Sequence, residues 1–279
     1  MSPSVQCQLA GGLSESHHVP SASSTRRTRH RGAGQAPVPF HVPYVGRAEE
    51  QAVLRALRDG TLEGNGPIGQ AVEAQLQRLL GVRYAFLMSS CTAAMEVALA
   101  AVGVAGGEVI LPSFSFPSVA ASVVAAGARP VFADIDPRHL TLDPIAVEQQ
   151  LSSRTRAVIF VDYGGSPGTL DAIGDVTNRL GLPLIEDAAH ALGARLRGRP
   201  LGSFGTVGCV SFHETKVVTC GEGGVFLTDD EAMIESVLVA REYGTNRTAF
   251  QRGEVDHYEW VGIGSSRLLA EPLAALLRA

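Results

Sequence analysis

Between residues 84 and 241 the chain alternates two hydrophobic periods. Short apolar runs at 84–88, 108–111, 130–135, 157–162, 183–187, 207–212 and 225–228 read as buried strands. Between them, residues 92–102, 116–126, 144–151, 170–180 and 232–241 place their apolar side chains at helical spacing, as Met95, Val97, Ala98 and Leu99 do. Two further helices precede this region. One covers 48–57, with Val53, Leu54 and Leu57, and is stopped by Asp59-Gly60. The other is opened by Pro67 and runs through Val72, Leu76, Leu79 and Leu80 to Gly81. Strands that are apolar throughout and alternate with helices predict an α/β fold, a mainly parallel sheet flanked by helices on both faces. The chain shows no internal repeat. In such sheets ligands bind beyond the carboxyl ends of the strands. A last helical pattern (Leu268, Leu269, Leu273, Leu276, Leu277) runs to the terminus. With no later segment to cover it, it is expected to be exposed, so that the chain dimerises there or is poorly soluble.

The first 38 residues break this pattern. They are rich in Ser, Gly and Pro, carry the basic knot Arg26-Arg27-Thr28-Arg29-His30-Arg31, and have no apolar period. They are read as a disordered tail, since they offer too little apolar surface to offset the entropy of ordering. No hydrophobic segment follows the twin arginine, so an export signal is not expected. An organelle transit peptide is the weaker reading of the same residues.

Composition narrows the class. The 279 residues hold 45% hydrophobic and 18% charged side chains with 31 glycines, which suits a large α/β domain with many tight turns. A net charge of −5 disfavours nucleic acid or an anionic membrane as partner. No apolar run approaches the roughly 20 residues of a membrane span. Cys7, Cys91, Cys209 and Cys220 lack metal-ligand spacing, so no metal is expected, and reduced thiols in a cytoplasmic protein are the default.

Four motifs fall at strand ends. Ser211-Phe212-His213-Glu214-Thr215-Lys216 closes an apolar strand and runs into Cys220-Gly221-Glu222-Gly223-Gly224. A lysine there is either solvated or, if desolvated, a Schiff-base nucleophile. Ser89-Ser90-Cys91-Thr92-Ala93 joins a strand to a helix, as an ordinary N-cap or as a phosphate site built from free N–H groups. Glu186-Asp187-Ala188-Ala189-His190 ends a very apolar strand. Asp187 there caps a loop or faces a cation such as a protonated pyridine nitrogen, and His190 is a core histidine or part of the same site. In Pro112-Ser113-Phe114-Ser115-Phe116 an aromatic packs in the core or stacks on a flat cofactor.

Phosphate cradle, aromatic, aspartate and lysine in that chain order resemble the DegT/DnrJ/EryC1/StrS sugar aminotransferases, over residues 39–279. The resemblance implies the large domain of a pyridoxal 5′-phosphate-dependent transferase of fold type I. Lys216 would form the Schiff base with the cofactor and move the proton. Asp187 would pair with the pyridine nitrogen, His190 would lie near the phenolic oxygen, and Phe116 would stack on the ring. Thr92, the Ala93 amide and Ser211 would hold the phosphate. Ser265 stands where many members carry an Asn that reaches the phosphate of a neighbouring subunit, which implies a homodimer with a shared active site.

A narrower likeness, through Phe212–Lys216 and the stretch 243–266, is to the dTDP-4-amino-4,6-dideoxygalactose transaminases of surface-polysaccharide and lipopolysaccharide synthesis. It implies amino transfer from L-glutamate to C4 of a dTDP-4-keto-6-deoxyhexose. Asn246, Arg247 and Arg252 would meet the sugar nucleotide, whose diphosphate suits a bidentate guanidinium. Two positions depart from that branch: Val217 replaces an Asn and Asp162 a His. The related dehydratases replace the lysine by His, so Lys216 opposes that activity. The resemblance implies that residues 39–264 form the cofactor-binding domain and that 265–279 begin a C-terminal domain whose remainder is missing. A catalytically silent, cofactor-binding homologue or partner subunit is the rival expectation.

Overall fold

The computed structural model describes residues 38–279. The tail reading for 1–38 and Cys7 therefore fall, Val38 apart, outside the described residues. Seven strands form the central sheet: β1 (Tyr84–Met88), β2 (Glu108–Pro112), β3 (Arg129–Ala133), β6 (Thr155–Val161), β7 (Leu184–Asp187), β10 (Val207–Ser211) and β11 (Gly224–Thr228). Their order is β1-β11-β10-β7-β6-β2-β3. β11 runs antiparallel to both its neighbours, and every other pairing is parallel. The mainly parallel sheet is thus as the periodicity predicts.

Two apolar layers cover it. On one face lie α2 (Pro67–Leu80), α5 (Pro144–Gln150), α6 (Leu170–Leu180) and α9 (Glu271–Arg278), through Leu76, Val147, Ile173 and Ala274. On the other lie α3 (Cys91–Ala101), α4 (Pro117–Ala125) and α7 (Ile234–Arg241), through Leu99, Val123 and Val237. Full burial of an aliphatic side chain is worth about 1.5–3 kcal/mol, so these layers carry the fold.

The expected strand over 130–135 ends early. The Asp134 carboxylate accepts the Ile135 N–H at 2.9 Å, and the chain turns into a small hairpin of β4 (Ile135–Asp136) and β5 (Thr141–Leu142). A second hairpin, β8 (Arg195–Leu196) with β9 (Arg199–Pro200), has no periodic signal. The segment expected as a helix over 232–241 begins as a 3-10 turn at Glu231–Met233, where Asp230 accepts the Ala232 N–H at 2.9 Å. A short helix, α8 (Arg247–Gln251), follows α7.

The terminal pattern corrects its own expectation. Leu269 and Ala274 are buried, and Leu273, Leu276 and Leu277 pack against the core, because α9 lies on α2 and on α1 (Arg47–Asp59). The apolar face thus has a partner, supplied by helices more than 190 residues earlier in the chain. The buried Glu271 fixes this docking. Its two oxygens accept the N–H groups of Ile68 and Gly69, each at 2.8 Å, at the N-terminus of α2. A Cβ at Gly66 or Gly69 would strike the same carboxylate, so glycine at both positions permits the approach. Glu271→Ala should leave two helix N–H groups unpaired and cost about 1.5–3 kcal/mol of stability, read as a lower urea midpoint with an unchanged slope.

Candidate functional site

The strand directions collect the predicted motifs. The carboxyl ends of β1, β2, β6, β7 and β10 lie along one edge of the sheet with the amino end of β11. That edge holds Ser89–Thr92, Ser113–Phe116, Asp162, Asp187–His190, Ser211–Lys216 and Gly224.

Asp187 ends β7, opposite Val161 on one side and Cys209 on the other. It is buried, and its Oδ1 accepts the Ala189 N–H at 3.1 Å. Burial pushes its carboxyl pKa up, while the Ala189 N–H and the Lys216 charge oppose that rise. Lys216 lies in the loop after β10, half-buried, its own N–H bonded to the His213 carbonyl at 2.9 Å. Desolvation pulls its ammonium pKa down, against the pull of Asp187 and Cys91. The lysine and the aspartate, 29 residues apart in sequence, therefore share one electrostatic environment. His190 joins them with its ring pKa lowered by partial burial and then by Lys216.

The α3 N-terminus is the anion end of the site. Ser90 is its N-cap, and its Oγ accepts the Ala93 N–H at 3.0 Å. The Ala93 amide is thus already engaged within the chain. The Cys91 and Thr92 N–H groups have no protein acceptor among the described residues, and they are the ones left for a phosphate. Gly224 of β11 closes the cradle from the side. A Cβ there would collide with the Ser90 carbonyl and the Cys91 nitrogen. Gly224→Ala should displace the start of α3, an overpacking cost of about 1–3 kcal/mol, and weaken phosphate-bearing ligands about tenfold or more in a direct titration. Ser211 ends β10 beside Gly224, buried, its Oγ accepting the His213 N–H at 3.2 Å.

Phe116 precedes α4 at the same edge and is 73% exposed. A separate run of rings is formed by Phe114 on Tyr163, with ring centroids 4.6 Å apart, and Tyr163 edge-on to His190 at 5.8 Å. The remaining predicted residues have other partners. Asn246 pins a loop, donating to the His257 carbonyl at 2.9 Å and accepting the Glu259 N–H at 2.8 Å. Arg247 is paired with Glu63 at 2.6 Å, and Arg252 stands exposed near Glu254 at 3.9 Å. Ser265 sits in an exposed loop, held by main-chain bonds to Ala240 and Tyr243.

Sequence reasoning missed Cys91 and Tyr163. Cys91 lies close enough to Asp187 and Lys216 to feel both charges, with its thiol pKa pushed well up by burial. Its signal was its place inside the cradle motif. Tyr163 had none, because only the turn after β6 brings it to His190. Among the described residues no group of three His, Cys, Asp or Glu side chains is placed to hold a metal ion. No described helix is long and apolar enough to cross a membrane.

A mainly parallel sheet whose edge offers free helix N–H groups, a buried aspartate and a desolvated lysine is the arrangement that a pyridoxal-phosphate-dependent transferase of fold type I requires. The comparisons agree and go further. The chain belongs to the DegT/DnrJ/EryC1/StrS aminotransferase family, which matches residues 43–279. It is 38% identical over 216 residues to the spore coat polysaccharide biosynthesis protein SpsC of Bacillus subtilis (strain 168), covering 77% of this chain and 55% of SpsC. Among solved structures it resembles the aminotransferase TlmJ from Streptoalloteichus hindustanus, with a TM-score of 0.77 and 34% identity over 84% of this chain and 63% of TlmJ. It also resembles DesI, solved in the presence of its TDP-sugar product, with a TM-score of 0.74 and 34% identity over 84% of this chain and 58% of DesI. The chain thus spans little more than half the length of SpsC. Pyridoxal phosphate, the cofactor of the family, fits the residues present. The unpaired N–H groups of Cys91 and Thr92 suit its phosphate, and the buried Asp187 suits its ring cation.

Proposed function

We propose that the protein is an aminotransferase that moves an amino group from L-glutamate to C4 of a dTDP-4-keto-6-deoxyhexose, for surface-polysaccharide or deoxysugar synthesis. The observation that carries this reading is that Asp187 at the end of β7, Lys216 in the loop after β10 and the free N-terminus of α3 lie on one edge of the sheet, where the two side chains feel each other's charge.

Pyridoxal phosphate, when bound, supplies the electron sink for proton removal next to nitrogen. The chain's own residues do the rest. Thr92, Cys91 and Ser211 bind the phosphate through N–H and hydroxyl groups. Asp187 holds a negative charge where the ring nitrogen is to stay protonated. Lys216 holds and moves a proton at Nζ, and its desolvation shifts that group towards the pH at which it can both take and give one. Phe114, Tyr163 and His190 line one side of the site as a run of contacting rings.

The sugar nucleotide is the finer part of the proposal. It is supported by the likeness to DesI, described with a TDP-sugar, and to SpsC, described as a polysaccharide biosynthesis protein. Arg247 and Arg252 would meet the diphosphate, and for Arg247 this means giving up its pairing with Glu63. Ser265 would serve the site of a second copy, in a homodimer. The test supplies L-glutamate and dTDP-4-keto-6-deoxyglucose and follows the sugar nucleotide by mass spectrometry. Conversion of the ketone to an amine supports the substrate. Turnover of glutamate with other ketones, while this sugar is untouched, overturns it.

A further inference from the structure

Behind Asp187 the structure holds a second carboxyl arrangement that the amino-transfer reading does not use. Asp162 follows β6 and is wholly buried, at 0% exposure. Its N–H is bonded to the Asp187 carbonyl at 3.0 Å, yet neither side-chain oxygen finds a donor. No ion pair reaches it among the described residues. What lies beside it is another carboxyl: Glu186 of β7 stands opposite Phe160, two residues before Asp162 and on the same side of β6, and its charge acts on Asp162. Glu186 is itself wholly buried and spends its oxygens on the N–H groups of Gly202, at 2.9 Å, and Gly205.

Two buried carboxylates side by side, with no ion pair to either among the described residues, repel each other and lose their hydration. A single proton resolves both defects. It turns one orphaned oxygen of Asp162 into a donor, and Glu186 has lone pairs to accept it. The neighbouring charges do not remove the need. Asp187 adds a further negative charge, Arg199 acts on Glu186, and the buried Cys209 thiol lies beside Glu186 and Asp187. Lys216 spends its charge on Asp187. Burial and the two acidic neighbours accordingly push the Asp162 pKa well above the usual carboxylate range.

We propose that Asp162 is a positioning residue: a carboxylic acid that stays protonated in the folded protein and shares its proton with Glu186. The bond ties the turn 162–165 to β7. That turn carries Tyr163, whose ring backs His190, and its Gly165 N–H is bonded to the Asp162 carbonyl at 3.0 Å. Asp162 thus acts on the site through Tyr163 and the β7 strand end, without touching a ligand.

The linkage has a definite sign. A carboxyl whose folded pKa is raised stabilises the fold fully below its unfolded value near pH 4, and loses that contribution as pH rises. Asp162→Asn keeps the shape and a donor but has no proton to lose. Melting of the 279-residue protein and of D162N is compared from pH 4.5 to pH 8. The variant's midpoint should gain on the wild type across that range, by about 3 °C or more at the upper end. Infrared spectroscopy at neutral pH reads the proton itself, as a carboxylic acid carbonyl band present in the wild type, lost in D162N and shifted in frequency in E186Q, where the acceptor changes. Asp162→Leu, which has no donor, should in addition shift the His190 ring resonances, which D162N leaves in place. A constant melting difference across pH, or an acid band that is absent from the wild type or persists in D162N, overturns the proposal. The infrared arm decides even where a variant folds poorly, because the wild-type band must be present.

Discussion

Lys216→Ala is expected to abolish turnover while leaving the fold nearly unchanged. The side chain is half-buried in a loop, and the loop's own bond to His213 is made by the main chain. No hydrogen bond or ion pair of the lysine side chain holds the structure among the described residues, so the loss should appear in chemistry and not in melting. A positioned acid–base group contributes about 10²–10⁴-fold, and that is the least the variant should lose. The visible absorbance that marks cofactor joined to this lysine should vanish as well. Small primary amines added in solution should restore part of the rate, since they replace the missing nitrogen. A variant that keeps wild-type turnover would make Lys216 structural.

Asp187→Asn is expected to separate binding from rate. The amide keeps the size and the acceptor for the Ala189 N–H but carries no charge to hold a ring nitrogen protonated. Losing a charge-assisted bond of this kind costs about 1.5–3 kcal/mol, some ten- to hundredfold in rate if it is felt only at the transition state. Stability should move the other way in the cofactor-free protein. Burial raises the Asp187 pKa, so the folded state loses stability as pH rises above the unfolded carboxyl value, and D187N is spared that loss. Greater stability of the variant at pH 8, together with slower turnover, would mark a charge kept for function at the fold's expense. Unchanged turnover would reduce Asp187 to the loop cap that its bond to Ala189 also allows.

The sequence carried the strands and their ends well, for a physical reason. Buried strands of a parallel sheet are apolar on both faces, so polar residues mark where they stop, and Asp187, Ser211 and Thr92 stand at such stops or one turn beyond. α2 and α6 stop where expected because Gly81 and Gly181 adopt left-handed conformations that end them. What the sequence could not display was contact between distant polar side chains. Glu271 reaches Gly69 across 202 positions, and nothing in its neighbours announces the bond. The Asp162–Glu186 pair and the approach of Cys91 to Lys216 are of the same kind. Arg247 shows the converse. Its composition suggested a diphosphate, while a glutamate 184 residues away holds it in the structure. Two-residue strands such as β4 and β8 are too short for any period to show.

The central claim is that Lys216, Asp187 and the start of α3 form a site that accepts an amino group from an amino acid. The most direct measurement loads the protein with pyridoxal phosphate, adds L-glutamate alone, and follows the cofactor's visible absorbance together with 2-oxoglutarate in solution. The account predicts that the absorbance bleaches and that about one 2-oxoglutarate is released per bound cofactor. A protein that binds the cofactor, keeps its absorbance unchanged in glutamate and releases no 2-oxoglutarate would contradict it.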